Sequence, residues 1–127
     1  MQEIRKVVKV SQHFLDFINQ VFEIEKKASQ LQEDNSIQRN INKLKDLFEN
    51  EFFKNNEGAL GLSYLNPIGE VYNDSRTDCD ASISGTSIEN LKIIEVIKPI
   101  IYYSHIDNGK IIKSIVQKGI VVAESKN

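Results

Sequence analysis

The stretch NPIGEVYNDSRTDCD, residues 66–80, decides how this chain divides. It gathers turn formers, three aspartates (Asp74, Asp78 and Asp80) and the only cysteine, Cys79. Before it, apolar residues recur with a helical period; after it, they follow the pattern of strands. Pro67 and Gly69 suit a reversal of chain direction, so the stretch reads as a corner rather than a metal loop. An EF-hand-like loop starting at Asp74 would put Arg76 at the third ligand position and Gly85 where the bidentate glutamate belongs. The aspartates therefore read as solvated turn charges. Cys79, beside two of them, reads as a half-buried strand thiol, since their field disfavours the thiolate a nucleophile needs.

Upstream, Val7, Val10, Phe14, Phe17, Val21, Ile24, Ala28 and Leu31 alternate spacings of three and four, an a/d heptad seam. Leu15, Ile18 and Phe22 add a second apolar stripe, wider than a two-stranded coiled coil requires. Asn35 or Ser36 can cap a second helix through Ile37, Ile41, Leu44, Phe48 and Phe52, and Gly58 is a natural stop after it. The short connection predicts an antiparallel helical hairpin. Two stripes on one helix are more readily buried in a dimer than in a monomer. The expected arrangement is a dimeric four-helix bundle, with Val7, Val10, Phe14, Phe17, Val21, Ile24, Ile41, Leu44 and Phe48 at the interface. The first turns of helix one then extend past the bundle as a short paired stalk.

Downstream of Gly61 the runs KIIEVIKPIIYYSH and KIIKSIVQKGIVVAE are rich in β-branched residues. Between them Asn108-Gly109 suits a type I′ hairpin turn. Pro99 makes its run an edge, a bulge or two short strands. The fold class is α+β: a helical dimerisation region over residues 1–58, then a small all-β domain over 59–127, built as two little sheets.

Composition narrows the function. The 127 residues are 40% hydrophobic and 27% charged, as in a soluble globular protein, with a net charge of -2 that favours neither nucleic acid nor an anionic membrane. A lone cysteine forms no intrachain disulfide and suits a reducing, cytoplasmic setting. No apolar run matches a signal peptide or a membrane helix. The two histidines, His13 and His105, are not placed near one another or Cys79, SGTSIEN lacks the P-loop lysine, and no nucleophile elbow is present. The sequence thus predicts no enzyme, no metal and no cofactor. Tyr102, Tyr103, Lys110 and Lys113 could be read as a single-stranded nucleic-acid platform, but two packed tyrosines and two exposed lysines on a hairpin are the simpler reading.

In its order of elements the chain resembles the GrpE family of nucleotide-exchange factors for DnaK-type chaperones. Members have a long paired helix, a short helix completing a dimeric four-helix bundle, and a compact β domain. Phe14 to Phe53 fits the bundle. In GLSYLNPIGEVYNDSRTD, Gly61, Pro67, Gly69 and Glu70 fit the family's lead-in to the β domain, and Tyr72 takes its aromatic position. Asn73 replaces an acid, Asp74 stands where a proline is preferred and Thr77 where a histidine is. NGKIIKSIVQKGIVVAES is similar to the closing hairpin, with Lys110 and Lys113 at its two basic positions. Members carry a much longer N-terminal helix, so the chain reads as a shortened relative or a trimmed piece of one.

The resemblance implies a homodimeric, non-enzymatic cochaperone that binds the ATPase domain of a DnaK-type chaperone and promotes nucleotide release. Lys110 and Lys113 would meet acidic groups on that partner, and Tyr102 and Tyr103 would supply apolar area. The departures at Asp74 and Thr77 and the short stalk also allow an adaptor with the same architecture and no exchange activity.

Overall fold

A computed structural model describes residues 10–31, 36–54 and 57–125. Helix α1 (Gln12–Ser29) opens where the Ser11 hydroxyl accepts from the His13 N–H at 3.3 Å, satisfying one of the free amides of the first turn. Lys26 and Lys27 occupy its last turn, at the negative end of the helix dipole. Helix α2 (Ile37–Asp46) runs into one π-helical turn, Leu47–Glu51, closed by the Phe52 N–H donating to the Leu47 carbonyl at 2.9 Å. The extra residue in that turn resets the helical phase. Phe48 ends fully buried and Phe53 half-buried.

Seven strands follow among the described residues: β1 (Ala59–Leu65), β2 (Val71–Tyr72), β3 (Cys79–Ser84), β4 (Leu91–Lys98), β5 (Ile100–Asp107), β6 (Lys110–Gln117) and β7 (Gly119–Ser125). They form a three-stranded sheet, β1-β5-β6, and a four-stranded sheet, β2-β4-β7-β3. Only Pro99 separates β4 from β5, and only Lys118 separates β6 from β7. Since β4 pairs with β7 and β5 with β6, all antiparallel, the two sheets share one long ribbon bent in the middle. Pro99 lacks the N–H a continuous ladder needs, so the strand breaks there into two, one in each sheet. Its carbonyl accepts from the Gln117 side chain at 2.9 Å. At the far end Asn108 and Gly109 take φ of 50° and 76°, the positive values of the expected hairpin turn. The β3–β7 pair is parallel and closes one edge of the four-stranded sheet.

The helices lie on this β region. Leu15, Ile18, Val21 and Ala28 of α1, Ile41 of α2 and Phe48 form one buried cluster with Leu62, Ile101 and Tyr103. Each buried Leu, Ile, Val or Phe side chain of this cluster contributes roughly 1.5–3 kcal/mol on burial. Phe22 instead joins Cys79, Ile93, Val96, Ile100 and Val121 in the core of the four-stranded sheet. The heptad seam is thereby split. Val21 and Ala28 face inward, whereas Phe17, Ile24 and Leu31 remain 39%, 45% and 54% exposed. Among the described residues the helices are two short ones rather than a long coiled coil; Val7 and the expected stalk lie outside those residues.

Polar ties fix the helix pair on the strands. Glu25 of α1 accepts from the Tyr64 hydroxyl at 2.6 Å and from Gln38 at 2.9 Å, and lies 3.6 Å from the Lys45 ammonium. Burial alone would raise its pKa, but the Tyr64 and Gln38 hydrogen bonds and the Lys45 charge outweigh burial and hold it below the usual carboxylate value. Burial and the neighbouring carboxylate raise the pKa of Tyr64 in turn. Asn19 and Gln117 exchange side-chain amide hydrogen bonds at 2.9 and 2.8 Å, joining α1 to the bend of the ribbon. At Gly61 the backbone of the helical segment comes close to β1: a Cβ there would lie 1.9 Å from the Glu49 carbonyl oxygen.

Candidate partner-binding surface

The hairpin β5–β6 collects the four residues singled out for partner contact. Its register pairs Asp107 with Lys110, Ile106 with Ile111, Ser104 with Lys113, Tyr103 with Ser114 and Tyr102 with Ile115. Side chains alternate between the two faces. Tyr103 points to the helices: it is 5% exposed, meets the Phe53 ring edge-on at 5.9 Å and stacks on His105 at 5.3 Å. Its area is therefore covered within the chain and is not free for a partner, a correction to the expectation from sequence. Tyr102, half-buried, lies on the opposite face, with the Lys113 ammonium 5.7 Å from its ring centroid. Burial raises both phenol pKa values. Lys110 and Lys113 are exposed.

The same alternation puts Ile106, Ile111 and Ile115 on the face of Tyr102 and Lys113, 47%, 69% and 41% exposed. A sheet with one face packed ordinarily carries polar side chains on the other; here three isoleucines occupy it beside one lysine, Lys113, while Lys110, paired with Asp107, lies on the face of Tyr103. These isoleucines were not singled out from the sequence. Counting outward in steps of two from the Asn108-Gly109 turn would have placed them together.

The second candidate surface is helical. Val10, Phe14 and Leu44 are half-buried against the core, Val21, Ile41 and Phe48 are fully covered by the chain itself, and Phe17 and Ile24 stay open. Phe17 touches Phe52 at 6.1 Å between centroids, and Phe52 touches Phe14 at 5.6 Å, so this open face continues from α1 onto the end of the second helical segment. Of the nine residues expected at a dimer interface, three are thus core residues of one chain.

The segment 66–80 is a corner held by its own side chains. Asn66 and Asn73 accept from backbone amides two residues on, at 3.1 and 3.0 Å, and Gly69 takes φ of 83°. Arg76 donates to Asp78 at 2.6 Å, to Glu70 at 2.8 Å and to the Val71 carbonyl at 3.0 Å. Asp78 is therefore no solvated turn charge as expected: the Arg76 hydrogen bond holds its carboxyl below the ordinary value. Burial, then the Asp78 charge, pushes the Cys79 thiol up to about 11, and the residue is buried rather than half-buried. Among the described residues no group of three or more His, Cys, Asp or Glu is placed to hold a metal ion. None of their helices is long and apolar enough to cross a membrane. Beside the corner lies an open depression of about 360 Å³, lined by Val71, Tyr72, Asp74, Ile83, Ile88 and Leu91 among others.

No family model, no curated protein and no solved structure matches this chain.

Proposed function

We propose that the chain is a GrpE-like cochaperone, a cytoplasmic, non-enzymatic homodimer that binds the ATPase domain of a DnaK-type chaperone and promotes nucleotide release. The observation that carries this reading is the order of elements, a helical pair followed by a two-sheet β region whose β5–β6 hairpin presents Lys110 and Lys113 beside exposed isoleucines; the closing hairpin expected over NGKIIKSIVQKGIVVAES is not formed, since β6 and β7 lie in different sheets. The open helical face around Phe17, Ile24 and Phe52 supports dimerisation by the helices. Exchange on this reading is a binding effect: a protein that prefers the nucleotide-free conformation of an ATPase lowers the affinity of that ATPase for nucleotide by the same coupling free energy. Lys110 and Lys113 meet carboxylates of the partner, and the isoleucine face with Tyr102 supplies apolar area. Titrating the chain against the chaperone of the same organism, nucleotide-free and ADP-loaded, is expected to give at least about tenfold tighter binding to the nucleotide-free form. Equal affinities would exclude exchange by this route.

A second reading, an adaptor without exchange activity, is favoured by the corner. Gly61, Pro67, Gly69 and Glu70, which carry the resemblance, are all occupied with the fold. Pro67 is fully buried, the Gly69 N–H donates to the Ile93 carbonyl at 2.9 Å, and Glu70 binds Arg76. Recovery of partners other than a DnaK-type chaperone by an affinity screen distinguishes this case.

A further inference from the structure

The three-stranded sheet ends in β6, whose outer edge has no neighbouring strand among the described residues. The strand is eight residues long and contains no proline, and its first six residues are all exposed. Such an edge presents a row of unpaired N–H and C=O groups and is ordinarily shortened, bulged, covered or guarded by charge. Here the register with β5 is regular from Tyr102 to Asp107. Lys113 leans inward over Tyr102 rather than outward across the edge, so the guard is incomplete. Beside the edge lie Ile106, Ile111 and Ile115 on one face and Ile112, 37% exposed, on the other. Side chains of an added strand would meet apolar surface on both sides of the sheet. The charges on β6 are Lys110 and Lys113, with no carboxylate on the strand.

We infer that β6 is a docking edge that takes up an extended segment of a partner protein as a fourth strand, the segment alternating aliphatic and acidic side chains. Main-chain hydrogen bonds supply the pairing; on one face the aliphatic side chains meet Ile111 and Ile115, and on the other the acids meet Lys110, with Lys113 adding to the positive charge of the edge. A second copy of this chain is the poorer occupant, because its own β6 brings two more lysines and no acid to the same short ladder. The inference does not depend on the identity of any chaperone, since the edge is tested in its absence.

The probe is a short synthetic peptide of alternating valine and glutamate, titrated into the intact protein while amide hydrogen exchange is followed. Binding with new protection confined to β6 and the neighbouring hairpin is expected. N-methylation of alternate peptide amides along one edge, which removes donors while keeping every side chain, is expected to weaken binding at least about tenfold. Lys110→Glu/Lys113→Glu, checked for an unchanged fold by circular dichroism, should reverse the preference toward a valine–lysine peptide. Protection appearing on the helices, indifference to N-methylation, or tighter binding of an oligonucleotide than of the peptide would each overturn the assignment. So would β6 amides already protected in a self-associated form without peptide.

Discussion

At the scale of single residues, Arg76 is the clearest case of a side chain whose role follows from its position. It binds Glu70, Asp78 and the Val71 carbonyl at once, with its side chain 17% exposed. Arg76→Ala is expected to cost about 1–2 kcal/mol at neutral pH, measured by urea denaturation. Its pH dependence has a definite sign. The folded-state pKa of Asp78 lies below its unfolded value, so this contribution is present above an unfolded pKa of about 3.9 and is lost as pH falls through the folded value. The gap between wild type and variant should narrow below about pH 4; a gap constant from pH 7 to pH 3 would remove Asp78 from the account. The corner itself was legible, because Asn, Pro and Gly act locally through turn chemistry. Arg76 as its clamp was not singled out, although an arginine two residues from Asp78 and six from Glu70 was in view; which acid a basic side chain takes is decided by the turn geometry between them.

At the scale of elements, the docking of the π-helical turn against β1 is the feature most exposed to a single change. Gly61→Ala forces a Cβ into the Glu49 carbonyl, and either the helical segment or the strand must shift. A loss of about 1–3 kcal/mol is expected, read as a lower urea midpoint with unchanged slope. A neutral Gly61→Ala would mean that the helical segment stands off the sheet. Most elements were legible in the sequence: helical spacing marked two helices, β-branched runs marked strands, and Pro99 and Asn108-Gly109 marked a break and a turn, whereas the π-helical turn and the two-residue strand β2 were not read. Direction was harder. Phe14, Phe17, Val21 and Ile24 match a coiled-coil seam as well as they match a helix on a sheet, and periodicity alone does not say which of two adjacent stripes is covered. The neighbouring stripe of Leu15, Ile18 and Phe22 meets the sheets. The parallel β3–β7 pair leaves no local signal, since it joins strands far apart in sequence.

At the scale of the whole molecule, the helices and the strands share a core while an apolar helical face and an apolar hairpin remain open. The proposed homodimer uses the first and leaves the second to partners. Light scattering is expected to give twice the chain mass of 14.5 kDa. Phe17→Glu/Ile24→Glu, at positions outside the buried core, should give a folded monomer, because a desolvated charge at such an interface costs several kcal/mol. A monomeric wild type would end the bundle proposal while leaving the single-chain fold intact. The measurement that reaches furthest is stopped-flow release of a fluorescent nucleotide from the DnaK-type chaperone of the same organism. Release should accelerate and saturate with rising concentration of this protein, and Lys110→Glu/Lys113→Glu should slow it without changing the oligomeric state. No acceleration from a folded dimer would contradict nucleotide exchange as the function.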